Sequence, residues 1–263
     1  MFNKQQTMSQ LRILITNDDN VHSNGIKALE RIANSISPDV WVVAPEVGQS
    51  GKSFSVTFDD ILRIRELSPR KFSVSGTPTD CVFVAIGEIL KDKKPDLVLS
   101  GINHGSNIAD FIGLSGTVGA VFAAASRDIM GIAVSQHCSH SDIVKFPIAD
   151  LFLPSIIKKI MSCKWPDHVC MNVNFPDVPL GEVRGVRVAR QGKADIKWEV
   201  HKKLDPMGDS YYWLHAVYSD LNGPAADLRL VTKEKSVTIT PLLCRHEFPG
   251  CFDKLEELFS TNA

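Results

Sequence analysis

Three short, unbroken apolar runs separated by helical patterns limit this chain to a narrow set of folds. Arg12–Thr16 (RILIT), Val40–Ala44 (VWVVA) and Asp96–Ser100 (DLVLS) have strand length and carry apolar residues at consecutive positions. A strand with one wet face alternates, whereas a run that is apolar on both faces belongs to a parallel sheet covered by helices on each side. Between the first two runs, Ile26, Leu29, Ile32 and Ile36 recur at helical spacing from Gly25 to Ile36, and Pro38 closes the segment. Strand, helix, strand at this spacing predicts an α/β fold.

Further along, Phe54–Phe58 and Ile61–Glu66 alternate around Asp59-Asp60, predicting a hairpin, and Phe72–Ser75 reads as a short strand. Pro78 opens a helix through Leu90, at a first-turn position where its missing N–H costs nothing. Thr117–Arg127 is a small-residue helix, Gly131–Ser135 a strand and Ile143–Met161 a long helical pattern. The character changes near Val169. Val169–Asn174, Gly185–Gln191, Tyr211–Val217 and Ser236–Thr240 read as strands, the charged stretch Lys193 to Gly208 as a loop, and Asp253–Phe259 as a closing helix. We therefore expect one α/β domain over residues 11–263, with a core at 11–140, a protruding β arm at 169–243 and a polar extension at 1–10. A length of 263 residues suits one large domain of this kind.

Composition removes several functional classes. A net charge of −1 argues against partners such as a nucleic-acid duplex or an anionic membrane surface, which call for a basic excess. A small anion stays open, because one cation and a few dipoles recruit it locally. No apolar run approaches the ~20 residues of a membrane span, and Met1 to Gln10 lacks the apolar stretch of a signal peptide, so a cytoplasmic location is expected. The six cysteines form no C-x-x-C pair and read as idle thiols. Cys244 and His246 have the look of half a zinc site, with no second pair to complete it.

The polar clusters fall in telling places. Thr16-Asn17-Asp18-Asp19 follows the first strand, Pro45 to Lys52 with Ser50-Gly51 the second, and Ser100-Gly101-Ile102-Asn103 the DLVLS strand. Ligands of open parallel sheets bind beyond the carboxyl ends of the strands, where such loops meet. Two adjacent carboxylates repel and are costly to bury unless a cation compensates. With a hydroxyl from Ser50 and an amide oxygen from Asn103, Asp18 and Asp19 make an all-oxygen donor set suited to one Mg²⁺ or Mn²⁺ ion. The plain alternative is a turn and helix cap, which Asn and Asp also favour.

Gly113-Leu114-Ser115-Gly116-Thr117, preceded by Gly105-Ser106-Asn107, leads into a helix whose unpaired N–H groups suit phosphate; ordinary capping by Ser115 is compatible with that. Gly51-Lys52-Ser53 imitates the end of a nucleotide-binding P-loop, but Glu46 stands where the first glycine belongs and a strand-like segment follows instead of a helix. His22 and His104 lie within the same loops and are candidates for orienting phosphate or shuttling protons.

Taken together, R-I-L-I-T-N-D-D at 12–19, A-P-E-x-x-x-S-G at 44–51, G-T-P-T-D-C-V at 76–82, S-G-I-N-x-G-x-N at 100–107, S-G-T-V at 115–118, N-V-N-F-P-D at 172–177 and S-V-T-I-T-P-L at 236–242 resemble the SurE family. The resemblance implies a Rossmann-like core with a C-terminal arm and helix used in oligomerisation, and a homodimer or homotetramer. It implies a metal-dependent phosphomonoesterase acting on nucleoside 5′- and 3′-monophosphates, with some polyphosphate hydrolysis. It places the metal ligands on Asp18, Asp19, Ser50 and Asn103, with Asp18 and Asp19 also catalytic, and phosphate contacts on Asn107, Ser115, Gly116 and Thr117. The attacking group is expected to be water assisted by one of the aspartates. This chain departs from the family pattern at Asn20 (usually Gly), Leu114 (usually Tyr), Ala123 (usually acidic) and Ala225-Ala226 (usually Gly-Thr). Leu114 and Ala123 favour the alternative, a catalytically weak nucleotide or metal sensor.

Overall fold

The computed structural model describes residues 8–138, 146–194, 196–218, 226–245 and 249–259. Its elements run β1 (Arg12–Thr16), α1 (Asn24–Asn34), β2 (Asp39–Pro45), β3 (Ile64–Ser68), β4 (Lys71–Val74), α2 (Pro78–Val84), β5 (Leu97–His104), α3 (Gly116–Ala125), β6 (Met130–Gln136), α4 (Pro147–Met161), β7 (Val169–Phe175), β8 (Val186–Val188), β9 (Ile196–Leu204), β10 (Ser210–Tyr218), α5 (Asp227–Thr232), β11 (Val237–Leu243) and α6 (Phe252–Phe259). Nine strands form one sheet in the order β3-β4-β2-β1-β5-β6-β7-β11-β8. The strands from β4 through β7 are mutually parallel; β3 and β11 run antiparallel to their neighbours β4 and β7.

Both faces of the central strands are buried, as the unbroken apolar runs require. Ile13 and Ile15 of β1 pack with Ile26 and Leu29 of α1 and Leu153 and Ile157 of α4. Leu14 points the other way, into Val82 and Ala85 behind α2 and Ala120, Ala123 and Ala124 of α3. The chain passes from β1 outward to β2 and β4, then returns to place β5 on the other side of β1. That reversal opens a crevice at the carboxyl ends of β1 and β5, where ligands of such sheets bind.

Several expected elements are corrected. Phe54–Phe58 is not a strand: Thr57 gives its N–H and hydroxyl to the carboxylate of Asp80 (3.0 and 2.7 Å), and Ser55 O accepts from the Thr77 hydroxyl, so side chains take the place of ladder partners. The hairpin turns instead at Pro69-Arg70, between β3 and β4. Lys193 to Gly208 is not a loop; it contains β9, which pairs along its whole length with β10. Ile196, Trp198 and Val200 alternate there with Lys197, Glu199 and His201, and Lys202 and Lys203 follow, so the strand signal is set among charged residues. Within the region expected to be an arm, β7, β8 and β11 belong to the main sheet, and β9–β10 alone stands apart. Residues 143–145 of the predicted long helix, 139–140 at the end of the expected core, 1–7 of the extension, Ala225 and His246 lie outside the described residues. Among the described residues no helix is long and apolar enough to cross a membrane.

Candidate active site

The loop after β1 is fastened by its own side chains. Asn17 donates its amide hydrogens to Asn20 O (2.8 Å) and Ser23 Oγ (2.9 Å), and Ser23 caps α1 by accepting from Ile26 N. Asn20, where the family pattern has glycine, takes φ +123° and receives His22 N–H on its own Oδ1 at 2.8 Å. Asparagine tolerates such backbone better than other non-glycine residues. Asp18 and Asp19 are thereby presented at the crevice, the first buried and the second partly so.

Two neighbouring loops are tied to this pair. Gln49 N–H donates to Asp18 O at 2.7 Å, drawing the exposed Ser50 alongside. His104 N–H reaches Asp19 Oδ2 at 3.3 Å. The β5–β6 ladder breaks between Ser100 and Asn103, and Gly101 sits in that interruption at φ +134°. Asn103 spends its amide N–H on Gly105 O (2.8 Å), which leaves Oδ1 as the available acceptor.

The third wall is the start of α3. A Cβ on Gly116 would lie 3.0 Å from Asp18 Cβ, so the helix N-terminus sits directly on the carboxylate. Thr117 donates its hydroxyl to Asp18 Oδ1 at 2.6 Å and adds its backbone N–H. Ser115 Oγ caps the helix by accepting Val118 N–H at 3.1 Å. Behind Thr117 stands Asn107, whose amide donates to Thr117 Oγ1 (3.2 Å) and Ser135 Oγ (2.9 Å). Asn107 is held in turn by Asn174 Oδ1 on its N–H (2.9 Å), and by Asn172 and Asn174 amides on its carbonyl (2.7 and 3.1 Å). The polar hydrogens of the Asn107 and Thr117 side chains are thus spent inside the protein. Gly116, Ser115 and the helix end are what a ligand would meet.

Burial pushes the Asp18 carboxyl up to about 6, against the Thr117 hydrogen bond and with help from the charge of Asp19. Asp19 is also raised by burial, partly offset by the N–H of His104. Among the described residues no lysine or arginine pairs with either carboxylate. A sheltered acidic pair without a protein cation, on loops tied to those that carry Ser50 and Asn103, fits a hard divalent ion.

Asn172, Asn174 and Ser135 are absent from the sequence-derived site. The period-two spacing of Asn172 and Asn174 in an apolar strand puts both on one face, and that was the available signal. Asp227 likewise had no assigned role. Its carboxylate accepts Ala109 N–H (3.0 Å), Gly192 N–H (3.0 Å) and Leu228 N–H (2.9 Å), joining the loop after β5 to the C-terminal segment. Ala123 is buried in the α2–α3 core, while Leu114 is 39% exposed at the rim of the site.

Fold and site together define an α/β protein with an acidic, hard-donor centre at the switch point of a largely parallel sheet. Comparison with known proteins makes this specific. The family model described as Survival protein SurE matches residues 13–198. A protein named 5′-nucleotidase SurE from Parvibaculum lavamentivorans is 48% identical over 236 residues, 88% of this chain and 85% of that one. Its namesake from Paramagnetospirillum magneticum is 43% identical over 246 residues, 93% of this chain and 91% of that one. The crystal structure of the SurE protein from Aquifex aeolicus superposes with a TM-score of 0.80 at 34% identity, covering 94% of this chain and 98% of that chain. The chain belongs to the SurE family.

Proposed function

We propose that this chain is a divalent-cation-dependent 5′-nucleotidase that hydrolyses nucleoside monophosphates to nucleoside and inorganic phosphate. The observation that carries the reading is the acidic pair seated at the N-terminus of α3 with no protein cation beside it. The names of the relatives, 5′-nucleotidase SurE, supply the substrate class. Asp18, Asp19, Ser50 and Asn103 would hold one Mg²⁺ or Mn²⁺ ion. When bound, such an ion polarises a phosphoryl oxygen and neutralises charge that develops there. The Gly116 N–H at the start of α3 and the Ser115 hydroxyl orient the phosphate. Asp19, more accessible than Asp18 and touched by one backbone N–H, accepts the proton of the attacking water. Asn107 and Thr117 act through Asp18, fixing its position. Six free thiols fit a reducing cytoplasm, where we place the activity.

The direct test is phosphate release from 5′- and 3′-monophosphates, polyphosphate and a chromogenic ester, with Mg²⁺ or Mn²⁺ and with chelator. Chelator-sensitive release from nucleotides is expected. Release from polyphosphate alone, or tight nucleotide binding without release, would overturn the reading in favour of a polyphosphatase or a sensor. Asn174→Ala removes two of the bonds that hold Asn107, and should lower kcat about 10–100-fold, as loss of such supporting partners does. An unchanged kcat in a variant with normal melting would remove Asn174 from the machinery.

Cation affinity should follow the ionisation of Asp18. Below a pKa of about 6 the cation must displace a proton, so affinity falls roughly tenfold per pH unit. Titration calorimetry with Mn²⁺ at several pH values would show this, and a flat profile would contradict it.

The β9–β10 ribbon supports the oligomer. Trp198, Trp213 and Leu214 are 53%, 64% and 69% exposed, an apolar load characteristic of surfaces that are covered in an assembly. Phe252, Leu255 and Leu258 of α6 are exposed as well. We assign both elements to a homodimer or homotetramer. Replacing Trp213 and Leu214 with aspartate should yield a smaller species by light scattering, and an unchanged mass would exclude the ribbon.

A further inference from the structure

Beside the acidic pair lies a cavity of about 180 Å³ that the phosphate chemistry leaves unused. Its floor is a separate apolar cluster in which Ile108 and Ala109 pack on Ala194 and Leu228, and Phe111 completes the wall. Its polar edge is a single pair, Ser106 Oγ and His137 Nδ1, 3.1 Å apart. The cavity is braced on purpose-built contacts. Asp227 joins Ala109 to Leu228 and Gly192, Ala194 N–H donates to Asp110 Oδ2 at 2.6 Å, and Gln191 donates to Ala109 O at 2.9 Å. Ala109 itself is held at φ +50°.

Position connects the cavity to the reaction. Gly105, on its wall, accepts the Asn103 amide and donates its own N–H to Gln136 O at 2.9 Å. Cys138, also on the wall, feels the charge of Asp19. A nucleoside monophosphate with its phosphate at the start of α3 must put its base somewhere within a ribose length of that point. An apolar slot with an aromatic wall and few polar groups is what a flat heteroaromatic ring needs. We propose that this cavity seats the nucleobase, with Ser106 and His137 reading its polar edge. The assignment rests on the nucleotidase reading and deepens it by naming the residues that discriminate among bases. Burial lowers the His137 pKa, which keeps the imidazole neutral and able to accept as well as donate.

The test compares the four common nucleoside 5′-monophosphates with ribose 5-phosphate, a substrate without a base, all with Mn²⁺. Ala194→Phe fills the slot and should raise KM for every nucleotide about tenfold or more, while kcat/KM for ribose 5-phosphate stays within about twofold. Ser106→Ala is the milder variant. It should change the kcat/KM ratio between the best and worst base by about 3–10-fold, as loss of one hydrogen bond does, and leave kcat in place. Equal losses on nucleotides and ribose 5-phosphate would make these residues structural and overturn the assignment. Unchanged discrimination in both variants would overturn it too. A wild-type protein that releases phosphate from none of the esters would overturn the nucleotidase reading itself, an outcome distinct from an active enzyme whose variants behave uniformly.

Discussion

Asp18→Asn is expected to reduce cation-dependent phosphate release by about 10³-fold or more, the scale of several kcal/mol of lost charge stabilisation, while raising the melting temperature of the cation-free protein. The two effects have one cause. Burial raises the Asp18 carboxyl to about 6, above its value in the unfolded chain. The folded state therefore binds the proton more tightly, and this group's stability contribution, complete at low pH, is lost as pH rises through about 4 to 6. Near neutrality the ionised carboxylate costs an order-of-magnitude amount of about 3 kcal/mol, which asparagine removes while its Oδ1 still accepts from Thr117. Mn²⁺ reverses the comparison, because it stabilises the wild type alone. Calorimetric melts with and without Mn²⁺, beside a phosphate-release assay, check both halves. A variant that still gains stability from Mn²⁺ and turns over normally would remove Asp18 from the site.

Gly119→Ala is expected to destabilise the protein, against the usual sign for that exchange within a helix. Alanine ordinarily gains about 1 kcal/mol over glycine there. Here a Cβ would overlap the Ser53 carbonyl oxygen and crowd Phe54 Cα, both backbone atoms that no rotamer change can clear. Ser53 is itself fixed, with φ +51°, its N–H on Leu114 O (3.1 Å) and its hydroxyl on Gly113 O (2.7 Å). The clash must push the Ser50 loop off α3 at an overpacking cost of about 1–3 kcal/mol or more. We expect a melting temperature lower by roughly 2–8 °C for a chain of this size, together with weaker cation binding because Ser50 and Gln49 move with the loop. A thermal melt and a Mn²⁺ titration measure both. An equal or higher melting temperature would show that the loop gives way freely.

The meeting of the candidate site's loops was legible in the sequence to the extent that position after a strand decides it. Asp18, Asp19, Ser50 and Asn103 could be grouped because parallel strands deliver their following loops to one edge, and the structure places those loops in contact. Direction of influence was harder to read. Thr117 and Asn107 look like ligand donors in sequence, yet their hydrogens are used on Asp18, Ser135 and Thr117, a fact that only packing reveals. Asn172 and Asn174 escaped notice because an asparagine on a buried strand gives no sign of which carbonyl it serves. In the fold, strands buried on both faces were found, since burial writes itself as apolar runs. Phe54–Phe58 misled because alternation there reflects packing of a coil against α2 and α3, and β9 was hidden because Lys197, Glu199, His201, Lys202 and Lys203 break up its apolar residues, whereas its partner β10 showed itself as the run Tyr211–Val217.

The brace behind the site also fixes the order in which function can arise during synthesis. Asp18 and Asp19 leave the ribosome 155 residues ahead of Asn174, a lag of roughly 8–30 s at ~5–20 residues per second. Through that interval a nascent chain carries the acidic pair, and later Asn107, Thr117 and Ser135, without the two asparagines that fix the Asn107 backbone. A product cut short before β7 keeps every proposed metal ligand and lacks Asn172 and Asn174, which hold Asn107 behind Thr117 and Asp18. Premature termination is therefore expected to yield an inert fragment instead of a loosely acting one.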